Sequence, residues 1–421
     1  MSVSVFNNNR VGEFGKTLLR FASSQAISNL LRLISGFIVV KFIDPELYGQ
    51  FAGVGIFMGY ISLGSVGIIN GLSRELPYEL GRGNNESARQ MASSVYVLST
   101  IISITASVVF LFFSIYFFIL GKTLTGTIYL SYVIISGLFF FNTQFLPTLY
   151  RTNKDFDSLS KQNIRVGLGN LLTVILVYFF SIYGLIARGI ILAVYQFVLL
   201  NHNKPYKLNF IYHFKHFVNL FKTGFPIFIV GQVNPLWTTI INSFIFSIGG
   251  ALNFGLYALS TIVQSTFGVI PASFGGVVYP RMSIMYGEGK SIAHIIKAHV
   301  KTTVFQFSFM LVFAILGFFL LPILVPYILP KYTNGIEAAQ WMLFIPVVQS
   351  IGLLNHIYNV IKKQKWYFIS LLIGASVGSL FVFLNISING FNLIVFPQGL
   401  LIGMFIQQIL SLVFIRFIIY K

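Results

Sequence analysis

The sequence predicts an all-α integral membrane protein of about twelve transmembrane helices in two six-helix lobes related by a parallel pseudo-two-fold repeat. Three observations carry this prediction. The 421 residues are 56% hydrophobic and only 9% charged, with a mean hydropathy of +0.82. The apolar runs are each long enough to cross a hydrocarbon core of about 30 Å, which takes roughly 20 residues of helix. The basic residues concentrate in every second break between those runs. A soluble domain carries about a quarter charged residues, so this chain has too few ionisable groups to clothe a soluble surface.

Taken in order, the spans fall near 18–42, 51–72, 92–120, 128–150, 165–183, 186–200, 219–247, 255–279, 302–328, 338–360, 367–387 and 394–416. Met1 to Lys16 is polar, contains Asn7-Asn8-Asn9 and lacks a small-residue cleavage site, so the first span is expected to act as its own uncleaved signal. The second span is rich in glycine, and its small-xxx-small spacings, such as Gly67 to Gly71, let helix backbones approach closely. The run from 165 to 200 becomes two spans because Ser181-Ile182-Tyr183-Gly184 can turn.

The charge pattern tests the count. With a cytoplasmic N-terminus, 23 of the 28 Lys and Arg residues fall in inner segments. Only Lys41, Lys122 and Lys331 fall in outer loops, while Arg32 and Arg188 lie within spans. A bias that alternates without a lapse follows the positive-inside rule. It places both termini in the cytoplasm.

The same pattern excludes other classes. A net charge of +18 would suggest nucleic acid in a soluble chain, but no basic helix face is present and no nucleic-acid partner is expected. There is no cysteine, hence no disulfide or thiolate metal site. No nucleotide motif or nucleophile constellation appears, and no cofactor or metal is expected. His202, His213 and His216 lie in a basic loop without a nearby carboxylate and read as a solvated face.

A shift of 206 residues brings Tyr48-Gly49 onto Phe254-Gly255 and Gly81-Arg82-Gly83 onto Gly287-Glu288-Gly289. Six helices per half is an even number, so the copies enter the membrane in the same direction, as a parallel repeat. The expected division is an N-terminal lobe of residues 1–203 and a C-terminal lobe of 204–421. Two like lobes are the usual scaffold for alternating access, with cargo held between them.

An ionisable group in mid-membrane is expensive and functional by default. All ten acids lie outside the spans or at their ends. Arg32 is different, lying about ten residues, or roughly 15 Å, from the outer end of its span. Gln25, Asn29, Arg32 and Gly36 are spaced four, three and four apart, which puts them on one helix stripe, with Ser28 and Ser35 beside it. Leu30, Leu31, Leu33, Ile34, Phe37 and Ile38 form the opposite, apolar face. Under the repeat Arg32 falls on Thr238, and the seventh span offers a matching stripe of Gln232, Thr239 and Asn242, bent near Pro235. These residues, together with Arg188, are the candidate substrate-binding set. The alternative is that such polar groups bond between helices and hold them together. Gln349, His356 and Asn359 form a weaker stripe in the tenth span, and Tyr60, Asn70, Asn142, Gln144, Gln196 and Gln264 are further candidates.

The run Lys41-Phe42-Ile43-Asp44-Pro45-Glu46-Leu47-Tyr48-Gly49, followed by a glycine-rich second span closing in Ser73-Arg74-Glu75 through Gly81-Arg82-Gly83, resembles the polysaccharide-transporter branch of the multidrug/oligosaccharidyl-lipid/polysaccharide exporter superfamily. Within that branch the chain is most similar to O-antigen flippases. The resemblance implies a transporter rather than an enzyme, in a bacterial inner membrane. It would move undecaprenyl-pyrophosphate-linked oligosaccharide from the cytoplasmic to the periplasmic leaflet, with Arg32 engaging the pyrophosphate. Membrane lipid and other polysaccharide-assembly membrane proteins are the partners it admits. Three rival readings remain: export of cationic drugs by the same fold, flipping of the peptidoglycan precursor, and a membrane glycan polymerase or ligase. The drug exporter wants a buried carboxylate, the precursor flippase two more spans, and the enzyme a long outer loop with acidic groups.

Overall fold

A computed structural model of the chain describes residues 8–419 apart from 203 and 207. Among these, every regular element is a helix. α1 (Asn8–Phe42) leads into a broken second span: α2 (Pro45–Gly55), α3 (Phe57–Ile61), a 3₁₀ turn at Ser62–Ser65 and α4 (Ile68–Gly81). Next come α5 (Asn85–Ile119), α6 (Thr123–Phe140), a π-helical turn at Phe141–Phe145, α7 (Leu146–Thr152), α8 (Phe156–Leu172) and α9 (Val174–His202). α10 (Phe214–Leu256), α11 (Ala258–Gly287) and α12 (Ile292–Ile328) follow. The next span is fragmented into a 3₁₀ turn at Pro330–Gly335, α13 (Ile336–Met342), α14 (Phe344–Ile351), a second 3₁₀ turn at Gly352–Asn355 and α15 (His356–Val360). α16 (Gln364–Asn389) and α17 (Val395–Ile419) complete the chain.

Among the described residues, ten helical segments are long and apolar enough to cross a membrane, and the second span, bent by 48° between Ser65 and Ile68, makes eleven. Val66 and Gly67 both take positive φ at that bend (39° and 86°), which ends one helix and starts the next. The twelfth expected segment lies within α8 and α9. Ser181 is non-helical (φ 48°, ψ −122°), and a methyl group placed on Gly184 would fall on the carbonyl of Leu176. On a straight helix residues eight apart are separated by about 12 Å. The chain therefore doubles back at Ser181, at the first residue of the expected turn. Val174–Phe180 extends α8, and the remainder of α9 returns. α10 keeps helical angles through Pro235, where the sequence suggested a bend, and its non-helical residue is Gly250 (φ 72°, ψ 179°).

The helices bury small polar side chains within an apolar core and turn large apolar ones outward. On α5, Ser99, Ser103, Ala106 and Ser114 are buried, while Phe112 is 65% and Ile119 79% exposed. Half-buried Ser107 and buried Ser114 bridge to neighbouring backbone: Ser107 Oγ donates to the Val133 carbonyl (2.8 Å) and Ser114 Oγ to that of Gly126 (2.9 Å). Small residues and such bonds are what hold helices together where lipid removes the hydrophobic drive. The chain is a multi-pass membrane protein.

The chain divides into two compact units, residues 1–42 with 57–229 and residues 43–56 with 230–421. This partition differs from a division at 203/204 in two places, and each has a local cause. In the second unit α2 lies backbone to backbone on the end of α10: methyl groups on Gly49 and Gly255 would fall on the carbonyls of Ala251 and Pro45. In the first unit the start of α10 lies in the same way on α4, with Gly224 on the carbonyl of Gly67 and Gly71 on that of Leu220. The first unit has a core of Ile68, Leu72, Leu76, Met91, Phe145, Leu149 and Tyr150. The second has one around Met282, Ile295, Leu353, Ile357 and Tyr358.

The repeat is visible at atomic detail. The turn after α4 bonds Gly83 N to Leu80 O (3.0 Å) and Asn84 N to Glu79 O (3.0 Å). The turn after α11 bonds Gly289 N to Tyr286 O (3.0 Å) and Lys290 N to Met285 O (3.1 Å), each 206 residues on. Gly83 and Gly289 both sit at left-handed φ (75° and 77°), the helix-ending conformation that glycine adopts without strain.

Candidate functional site

α1 has three faces. Ser24, Ser28, Ser35 and Val39 are buried, and α1 packs along α8. A methyl group on Gly167 of α8 would meet Ser28 Cα at 3.1 Å and Leu31 Cδ1 at 3.0 Å. Ile27, Leu30 and Ile34 form an exposed apolar arc. Gln25, Asn29, Arg32 and Gly36 form the third face, which at about 100° per residue lies roughly half a turn from that arc. The Gln25 amide donates to Asn29 Oδ1 (3.3 Å) and accepts from Asn163 Nδ2 of α8 (3.0 Å). Asn163 thus joins the polar face, a member that reading α1 by itself does not reveal.

Arg32 is exposed on this face, and the open space beside Gly36 leaves room next to it. Its guanidinium forms no hydrogen bond or ion pair with any described residue. No described carboxylate is buried. The two described ion pairs, Arg20 with Asp157 (3.0 Å) and Lys331 with Asp44 (2.6 Å), are both well exposed. Arg32 therefore presents a positive charge and five N–H donors that the protein does not neutralise.

Arg188 stands in a different setting. Its Nη2 donates to Ser35 Oγ (2.6 Å) and Asn170 Oδ1 (3.2 Å), and Ser35 Oγ donates to the Asn170 carbonyl (2.6 Å). Asn170 belongs to α8 and Ser35 to α1. Arg188 fastens α1, α8 and α9 at that point. Its spacing along α9 could not disclose this, because the partners come from two other helices.

In the second unit the candidates share α10. Thr239 is buried and donates to the Pro235 carbonyl (2.8 Å). Gln232 and Asn242 are half-buried, and the Asn242 Oδ1 atom is sealed off without a hydrogen-bond partner, as is Oδ1 of Asn234. Asn234, not among the residues the sequence singled out, lies about 80° round the helix from Asn242, off the Gln232–Thr239 stripe. Trp237, on the other side, bonds Ser379 of α16 through Nε1 (3.0 Å). Of the lesser candidates, Asn142 and Gln196 bond backbone carbonyls of each other's helices (2.8 and 3.0 Å), and Gln349 approaches Met404 Sδ at 3.8 Å. His216 bonds Gln90 (3.0 Å).

The sequence model of the family described as polysaccharide biosynthesis protein matches residues 15–286, which takes in most of the first unit, the reciprocal glycine contact and nearly all of α11. The chain belongs to the polysaccharide biosynthesis protein family. No curated protein matches it. Solved structures match over nearly the whole length of this family member. A multidrug resistance MATE family transporter of the MOP superfamily in an inward-facing conformation has a TM-score of 0.76 at 16% identity, covering 95% of this chain and 98% of that one. An outward-facing conformation of such a transporter has 0.64 at 16% identity, covering 96% of each. A MOP superfamily transporter from Pyrococcus furiosus, described as having a binding pocket of reversed polarity, has 0.61 at 16% identity, again covering 96% of each. At these identities the likeness establishes a shared MATE-like fold.

Proposed function

We propose that this protein is a flippase that moves undecaprenyl-pyrophosphate-linked oligosaccharide, an O-antigen or related repeat unit, from the cytoplasmic to the periplasmic leaflet of a bacterial inner membrane by alternating access. The observation that carries the reading is Arg32, a cation within a membrane-spanning helix that no acid of the protein neutralises, set among the amides of Gln25, Asn29 and Asn163. A pyrophosphate supplies the missing negative charge, and charge-assisted bonds to a guanidinium are among the stronger ones available. Sugars match amide donors and acceptors, and Gln232, Thr239 and Asn242 offer the same chemistry on α10. Membership of a polysaccharide biosynthesis family supports this cargo.

Drug export by a MATE-like fold is the second reading, since that is what the matched transporters are described as doing. A cationic drug calls for a buried carboxylate, and among the described residues all acids are exposed or half-exposed. The distinguishing experiment reconstitutes the purified chain in vesicles with a fluorescent polyprenyl-pyrophosphate oligosaccharide in both leaflets and measures the fraction reached by a membrane-impermeant quencher. A flippase lets the quencher bleach nearly all of it. Bleaching that stops at the outer leaflet, together with accumulation of ethidium in the same vesicles, would replace this reading with the second.

A further inference from the structure

Arg151 is not part of the polar face of α1, yet it sits in a pocket of its own. α4 and α7 border an open pocket of about 330 Å³ lined by Asn70, Ser73, Thr148, Arg151 and Thr152, with Ile69 and Pro77 as its apolar wall. That volume is within the range of small-molecule sites. One guanidinium and one amide line it without a carboxylate, and the hydroxyls of Ser73, Thr148 and Thr152 beside them already donate to carbonyls of their own helices. A guanidinium next to an amide is chemistry that recognises a phosphate oxyanion.

Local structure aims these groups. The π-helical turn at Phe141–Phe145 runs directly into α7, which begins beside Pro147. Buried Phe145, Leu146, Leu149 and Tyr150 anchor α7 in the core, which leaves Thr148, Arg151 and Thr152 to the pocket. Arg151 is steadied by its own helix: Nε donates to the Pro147 carbonyl (3.3 Å) and Nη2 to Thr148 Oγ1 (3.3 Å). Two of its five donors are thereby used, and the others are left for a ligand. On α4, Leu72 and Leu76 are buried in the same core, and Asn70 and Ser73 are turned the other way, into the pocket.

We propose that this pocket is a second oxyanion site, for the diphosphate of the lipid-linked cargo as it enters from the cytoplasmic side. The assignment rests on the flippase reading for the identity of the cargo and on the pocket for the chemistry. The ends of α4 and α7 border the loops of Arg82 and Lys154, which the charge bias places in the cytoplasm. The pocket therefore stands at the entry end, and Arg32 lies deep within its span. The shared chemistry is a diphosphate, which a polyprenyl lipid or free pyrophosphate could supply.

The test titrates the full-length protein in detergent with farnesyl diphosphate and, separately, with inorganic pyrophosphate, by calorimetry. Wild type, Arg151→Gln, Asn70→Ala and Arg32→Gln are compared after gel filtration shows them monodisperse. Removing a charged donor should weaken binding about tenfold or more. Loss of farnesyl diphosphate affinity in Arg151→Gln, with Arg151→Lys retaining part of it, is the expected result. Equal, Arg151-dependent binding of inorganic pyrophosphate supports the site and assigns it to the free anion. Should Arg151→Gln aggregate, the same loss in Asn70→Ala carries the result. Unchanged affinity in Arg151→Gln and Asn70→Ala with weakened binding in Arg32→Gln overturns the pocket and leaves the flippase intact. No binding of either probe to wild type overturns both.

Discussion

Gly49 and Gly255 lie against each other reciprocally: the missing side chain of Gly49 leaves room for the carbonyl of Ala251, and that of Gly255 for the carbonyl of Pro45. Each glycine is the other's counterpart at a shift of 206 residues, and so are Pro45 and Ala251. The contact is self-complementary in the way of an isologous interface, where residue i meets j and j meets i.

Substitution at either position should therefore be costly, and to a similar degree. Even Gly49→Ala or Gly255→Ala places a methyl on backbone that cannot rotate away, and overpacking typically costs 1–3 kcal/mol, so about that loss is expected. Thermal unfolding in detergent should show a lowered midpoint for both. Gly36→Ala, which meets open space, should leave the midpoint unchanged.

Much of this architecture was legible in the sequence, for physical reasons that also mark the limits. The apolar runs marked out the long helices, because the bilayer demands length. The reversal at Ser181 was within reach because four turn-competent residues interrupt an otherwise apolar run. The course of α2 onto α10 was not, since periodicity records which face of a helix is buried and says nothing about which helix buries it. The polar face of α1 emerged from spacing alone, whereas Asn163 joined it through tertiary packing. Arg188 shows the same limit: its charge was visible, and its partners Ser35 and Asn170 were not.

The two intramembrane arginines should separate experimentally. Arg188→Leu removes the hydrogen bonds to Ser35 Oγ and Asn170 Oδ1 and leaves the Asn170 amide oxygen unpaired, at a cost of about 1–3 kcal/mol. It should lower the unfolding midpoint and the yield, while folded protein retains transport. The measurement is activity normalised to monodisperse protein.

Neutralising Lys331 should matter little. Its pair with Asp44 is exposed on both sides, and such pairs are worth roughly 0–1 kcal/mol. Lys331→Gln and Lys41→Gln should each leave both stability and surface glycan within error of wild type. Loss of transport in either would place the anion path elsewhere.

The orientation can be read directly. Reporter fusions after residues 122, 250 and 331 should score as outside, and fusions after 82, 210 and 290 as inside. A single reversal would break the alternation of charge on which the twelve crossings depend.

Arg32 is proposed to meet an anionic cargo. Its direct test is complementation of a strain lacking its own lipid-linked oligosaccharide flippase, with surface glycan and membrane protein level measured together. Arg32→Ala and Arg32→Glu are expected to abolish surface glycan at normal protein level, with Arg32→Lys retaining part of it. Wild-type glycan from both Arg32→Ala and Arg32→Glu would contradict the account.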